Sequence, residues 1–219
     1  SNARVHLVSD SGNNRIKKCW TNSSGTTLLR CSVSAGVGTV ANNEYWGHPR
    51  TLSGQLHSAS GMAWLGSKDQ LLVSDTPNTR IIIYNSNGVY QGRFPGTNIS
   101  YGVTGIATFS DPNIGEAVAV LVGADVTLPW PYTGDASLRI YDANGNLEEL
   151  FNLSYRTGGL PVPEIGLSTS NTNYPVAVSA INDGAADQHA IYITSFDNYV
   201  WRFDYDSGSS TLNGNWYAG

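Results

Sequence analysis

From Arg4 to Tyr217 the chain is a succession of short runs in which apolar and polar residues alternate, separated by clusters of Gly, Asn, Asp, Ser and Pro. Alternation with period two is the pattern of a strand buried on one face, and the clusters are turn chemistry. Helical periodicity is almost absent. Residues 176–181 could open a helix, but their β-branched members and the flanking Pro175 and Asp183-Gly184 favour a strand.

The runs repeat. Val8-Ser9-Asp10-Ser11-Gly12-Asn13-Asn14-Arg15-Ile16 returns as Val73-Ser74-Asp75-Thr76-Pro77-Asn78-Thr79-Arg80-Ile81. Ile83-Tyr84-Asn85-Ser86-Asn87-Gly88 returns as Ile140-Tyr141-Asp142-Ala143-Asn144-Gly145, and Asn-Gly between alternating runs is a strong hairpin signal. Joined together, these pieces predict a unit of four antiparallel strands. The second unit is the most complete, with strands over 61–65, 70–74, 80–85 and 89–94. The third covers 103–109, 117–124, 137–142 and 147–152, and the fourth 176–181, 190–195, 199–205 and 211–217. The first has only its last three strands, over 5–9, 15–20 and 26–31; the missing one could come from upstream sequence, from the tail near Trp216, or not be supplied at all.

Such a unit buries its faces only against its neighbours, so the units must stack, which is the grammar of a β-propeller. The expectation is an all-β, β-propeller-like array of about four four-stranded antiparallel blades. Their limits are about 4–31, 59–94, 103–152 and 176–217, within one domain over 4–219. The V-S-D-[ST]-x-N-x-R-I box, followed by an aromatic strand and a Gly turn, resembles the NHL repeat in the first two units. In the fourth, Asp197-Asn198-Tyr199-Val200-Trp201-Arg202-Phe203-Asp204 is similar to the strand pair of quinoprotein-like and pilus-adhesin propellers. These resemblances imply a propeller without implying one function. NHL propellers usually have six blades, so four units imply a small or truncated ring.

Ser1-Asn2-Ala3 reads as a remnant of tag removal and stays outside the fold argument. The two cysteines, Cys19 and Cys31, flank Asn22-Ser23-Ser24-Gly25, a hairpin turn that would set them opposite each other. A disulfide is the expected pairing, with two reduced core thiols as the alternative. A disulfide would imply an oxidising compartment and hence a secreted, periplasmic or cell-surface protein. Lys and Arg number 12 against 17 Asp and Glu, a net charge of −5 that argues against nucleic acid as a partner. No apolar run reaches the ~20 residues of a membrane span.

In an up-and-down blade, the connection between the second and third strands shares a rim with the connection to the next blade. The three long insertions, over 32–59, 125–136 and 153–175, all belong to those two classes. Loops gathered on one side of a rigid scaffold are where binding concentrates. They carry Trp46, His48 and Arg50, and the Pro-flanked Trp130 with Tyr132, residue types that anchor partners. The same rings could instead cover the loops' own core.

Other candidates are weaker. Asp10 and Asp75 are expected to bond turn amides and to pair with Arg15 and Arg80. Asp142, Asn144 and Asn146 have the alternation of a calcium loop, but the hairpin explains them. Asp183, Asp187 and His189 read as a solvated turn. Glu44, Glu116, Asp125, Asp135 and Glu164 could serve a central metal, although nothing groups them. No nucleophile elbow, zinc-helix, phosphate-loop or dinucleotide motif is present. The reading is an exported, non-enzymatic module that holds a protein or glycan, with no catalytic residues, metal or cofactor. The alternatives are a metal-dependent lactonase-like hydrolase or a structural segment of a larger surface protein.

Overall fold

A computed structural model describes residues 3–36, 56–95, 102–122, 136–153, 175–182, 188–195 and 200–218. The predicted runs are strands, and they assemble into one three-stranded and three four-stranded antiparallel sheets, each in simple sequence order. Blade 1 contains β1 (Arg4–Asp10), β2 (Arg15–Thr21) and β3 (Leu28–Gly36). Blade 2 contains β4 (Ala59–Leu65), β5 (Gln70–Asp75), β6 (Arg80–Asn85) and β7 (Tyr90–Arg93). Blade 3 is built from β8 (Val103–Asp111), β9 (Gly115–Val122), β10 (Ser137–Asp142) and β11 (Leu147–Asn152). Blade 4 is built from β12 (Pro175–Asn182), β13 (Gln188–Ser195), β14 (Val200–Asp206) and β15 (Thr211–Ala218).

The first unit is a three-stranded blade, as its sequence predicts. β1 corresponds to the second strand of the other blades, since it packs against β4 as β5 packs against β8 and β9 against β12. The tail near Trp216 does not supply the missing strand. It lies in β15, where Trp216 faces Trp201 of β14. β3 also differs from its predicted limits, running on to Gly36 and so shortening the first long connection. The hairpin register sets Cys19 opposite Cys31, and the two form a disulfide.

Three apolar clusters hold the blades together, one at each junction. Ile16 and Ala35 meet Val73, Ile82 and Tyr84 between blades 1 and 2. Leu72, Ile81 and Ile83 meet Val118, Val120 and Tyr141 between blades 2 and 3. Ala119, Leu138 and Ile140 meet Ile191, Ile193 and Phe203 between blades 3 and 4. Strand alternation explains this division, because odd and even positions of one strand serve opposite neighbours. None of the three clusters joins blade 4 back to blade 1, so the described residues form an open arc.

The innermost strands β4, β8 and β12 lie side by side. Each pairs outward through a bulge near its start, between Ala59 and Met62, Val103 and Gly105, and Pro175 and Ala177. A bulge bends its strand and increases the twist, which suits a strand that must turn around an axis. The Asn-Gly hairpins also recur in detail. Asn85 and Asp142 each accept the backbone N–H groups two and four residues ahead through Oδ1. Gly88 and Gly145 take φ of +78° and +85°, which L side chains avoid. Each also sits hard against the preceding blade, Gly88 on Ser34 and Gly145 on Pro95.

Candidate functional site

Strand direction decides which connections share a rim. β3, β7 and β11 end where β4, β8 and β12 begin, and the turns from the second to the third strand of each blade lie at that same end. The long connections 37–58, 123–136 and 153–174 all leave from and return to this rim. At the opposite rim the connections are tight, among them 66–69, 86–89, 112–114, 143–146 and 207–210. Trp46, His48, Arg50, Trp130 and Tyr132 lie outside the described residues, as do Glu44, Asp125, Asp135, Glu164, Asp183 and Asp187.

On the loop rim the two V-S-D boxes build the same bracket. Asp10 and Asp75 end their strands and are followed by one-turn 3-10 segments over Ser11–Asn13 and Thr76–Asn78. Each carboxylate accepts from the Asn three residues on and from the Arg five residues on, at 2.7 to 2.9 Å. Lys17 adds a third donor to Asp10. Lys17, Asn13 and Arg15 together hold the Asp10 carboxyl well below the ordinary carboxylate range. Asp75 is fully buried and also accepts the backbone N–H of His57, which ties the end of the first long connection to blade 2. Asn14 does the equivalent for Ser58. Both Asp residues pair with their Arg as expected, but neither caps the amides of its own turn; Asp75 instead holds the end of the incoming connection through His57. The Nδ1 atom of His57 is buried beside this bracket without a hydrogen-bond partner among the described residues.

The opposite rim is stitched across the blades. Glu116 of blade 3 accepts the backbone N–H groups of Gly66 and Ser67 of blade 2, at 2.8 and 2.7 Å. Burial pushes its pKa up, and the bonds from the Ser67 hydroxyl and the two amides reverse this to leave it lowered. Glu116 is thus an interblade clamp rather than a ligand on the axis. Lys68 reaches Asn144 in the same way. Asp142 is engaged by the amides and side chains of Asn144 and Asn146, as the hairpin reading requires.

His189 is where the structure corrects the sequence most sharply. It does not sit in a solvated turn. It is 1% exposed at the start of β13, with Nε2 2.7 Å from Oδ2 of Asp111, which accepts from it. Nδ1 lies 3.2 Å from Oδ1 of Asn182. The ring stacks on Tyr205 and packs against Phe109, with centroids 6.0 and 4.6 Å away. Asp111 also accepts the backbone N–H groups of Asn113 and Ile114. Burial raises its pKa, but bonds from Ser207, Asn113, His189 and Ile114 outweigh burial and lower it. Burial, aided by the negative Asp111 and Glu149, pushes the Tyr205 hydroxyl up to about 12. No local signal marks this group, because Asp111 and His189 are far apart in sequence and meet only when blades 3 and 4 pack.

The chemistry left available is consequently limited. Asp10, Asp75, Asp111, Glu116 and Asp142 are all occupied with turn amides or side-chain partners. Among the described residues no three His, Cys, Asp or Glu side chains converge as a metal site would require. No helix among them is long and apolar enough to cross a membrane.

No family model matches the chain, and no curated protein matches it. Solved structures do. A lectin from Burkholderia pseudomallei is 14% identical with a TM-score of 0.53, covering 99% of this chain and 52% of its own. A periplasmic gluconolactonase of Pseudomonas aeruginosa is 12% identical with a TM-score of 0.52, covering 98% and 54%. The WD40 repeats of RRP9 are 11% identical with a TM-score of 0.48, covering 100% and 52%. The first two likenesses show a propeller fold, and the chain spans about half the length of the structures it matches.

Proposed function

We propose that this chain is an exported binding module that holds a protein or a glycan on the rim where its three long connections gather. The reading is supported above all by strand order, which returns every long connection to one rim while the other rim is closed by short turns and interblade bonds. Loops on a rigid scaffold can present side chains to a partner without ordering the whole surface on binding. Trp46, His48, Arg50, Trp130 and Tyr132 are the anchors of this reading, and Pro129 and Pro131 restrict the backbone on either side of Trp130. His57, whose backbone N–H bonds to Asp75, adds an imidazole to the same rim.

The Cys19–Cys31 disulfide agrees with folding in an oxidising compartment, which is the basis for proposing export. The lectin likeness is compatible with glycan recognition but shows the fold alone at 14% identity. The test is to screen glycans and extracellular proteins for a binder, then to compare the wild type with Trp130→Ala and Tyr132→Ala. Loss of an anchor is expected to weaken binding about tenfold or more with the melting temperature unchanged. A large drop in melting temperature with binding intact would assign Trp130 to the fold instead.

A further inference from the structure

By the repeat, Lys18 and Trp20 take the places of Ile83 and Asn85. In blade 2 the turn begins at Asn85, whose Oδ1 accepts from the amides of Asn87 and Val89. In blade 1 the strand runs on past Trp20, and Asn22 heads the turn instead, accepting the N–H groups of Thr26 and Thr27. Gly25 donates to the Asn22 carbonyl there as Gly88 does to that of Asn85. The β2–β3 hairpin is thus two residues longer at the rim of tight turns than the repeat requires. The Cys19–Cys31 disulfide lies directly beside the Trp20–Arg30 pair and staples the extension at its base.

On this extension the Arg30 guanidinium carbon stands 4.3 Å from the Trp20 ring centroid, and the Lys18 ammonium 5.8 Å. Stacking uses the flat face of a guanidinium and leaves its in-plane N–H groups pointing outward. Those donors are unused, since neither Lys18 nor Arg30 makes a hydrogen bond or an ion pair among the described residues. Arg15, Lys17, Arg80 and Arg202, by contrast, each reach an aspartate. Residues 11–43 contain no Asp or Glu, in a chain whose net charge is −5. Lys18 and Trp20 are half-buried and Arg30 is exposed. Leu28 and Leu29, next to Arg30 in β3, are 62% and 58% exposed. Tryptophan and arginine are the commonest anchors of protein interfaces. Cations set beside bare leucines suit a partner that offers carboxylates and aliphatic side chains together. A protein segment has both, whereas an acidic polysaccharide has carboxylates or sulfates alone, and a long polyanion would also meet the negative charge of the whole chain.

We propose that the β2–β3 hairpin is a docking site for an acidic segment of a partner protein, on the rim opposite the long connections. Carboxylates of that segment accept from the outward N–H groups of Arg30 and from the Lys18 ammonium, and its aliphatic side chains rest on Leu28 and Leu29. The disulfide holds this platform in shape before the partner arrives, which lowers the ordering cost of binding.

The test is a display selection of short random peptides on the wild-type chain. The enriched sequences are expected to combine Asp or Glu with Leu, Ile, Val or Phe. A synthetic peptide of the enriched sequence, followed by fluorescence anisotropy, should bind the wild type and weaken as salt rises. Lys18→Glu combined with Arg30→Glu sets like charges against it and is expected to weaken binding about tenfold or more. The same peptide with its acids replaced by lysine should prefer that double variant over the wild type, which a misfolded chain would not show. A selection that enriches no acidic sequence overturns the proposal. So does an acidic peptide that binds the double variant as tightly as the wild type, or a lysine peptide that the double variant does not prefer. Binding of heparin to the wild type without binding of the acidic peptide would overturn it in favour of a polysaccharide.

Discussion

Asp111 shows how a single buried carboxylate holds two blades in register. Its lowered pKa means that the folded state favours the charged form more than the unfolded chain does, whose value lies near ~3.9. Its stabilising effect is therefore complete above about pH 5 and is lost as pH falls through the folded value. Glu116 and Asp142 are shifted in the same direction and add to the same acid limb. Asp111→Asn is expected to lower stability at neutral pH by about 1–3 kcal/mol, the cost of disturbing bonds to a buried charged acceptor. It should also flatten the fall in stability between about pH 5 and 2, which urea denaturation at a series of pH values would measure. An unchanged acid limb would mean that other carboxylates control it.

At the scale of the element, the β2–β3 hairpin and the innermost strands make separate predictions. The disulfide closes a short loop across adjacent strands, with Cys19 and Cys31 separated by 12 positions. Reduction should cost roughly 3 kcal/mol by the chain-entropy account. The loss should appear as a lower denaturation midpoint in the presence of reductant, and Cys19→Ala with Cys31→Ala should reproduce it. Gly105 lies where β8 meets β12. A Cβ there would stand 2.9 Å from the backbone N of Val178 and 3.2 Å from Cα of Ala177. Gly105→Ala should therefore force the two inner strands apart and cost about 1–3 kcal/mol, as overpacking does. Equal stability of this variant and wild type in urea would show that blades 3 and 4 can slide without cost.

For the whole molecule, both rims tie neighbouring blades, and one of them also carries the long connections. One rim ties the blades through Glu116, Lys68 and the Asp111–His189 pair. On the loop rim the Ser9 hydroxyl donates to the Ala59 carbonyl and the Thr76 hydroxyl to the Val103 carbonyl. Asp75 and Asn14 bracket the end of the first long connection there. Carboxylates at strand ends thus bridge a turn or a junction that backbone pairing leaves unfinished. The Trp130→Ala experiment therefore reads binding and melting temperature together, because the loop rim serves both.

Much of this was legible in the order of residues alone. Strand units, the three-stranded first blade, the Cys19–Cys31 register, the pairing of Asp10 and Asp75 with their arginines and the turn bonding of Asp142 follow from alternation, turn residues and the repeat. These are local relations, set within a few residues by side-chain period and backbone turn geometry. The burial of His189 against Asp111 and the capture of the Gly66 and Ser67 amides by Glu116 were decided only by tertiary structure. Their partners lie on different blades, and a lone His or Glu in a turn has no nearby residue that reveals what packing will bring to it.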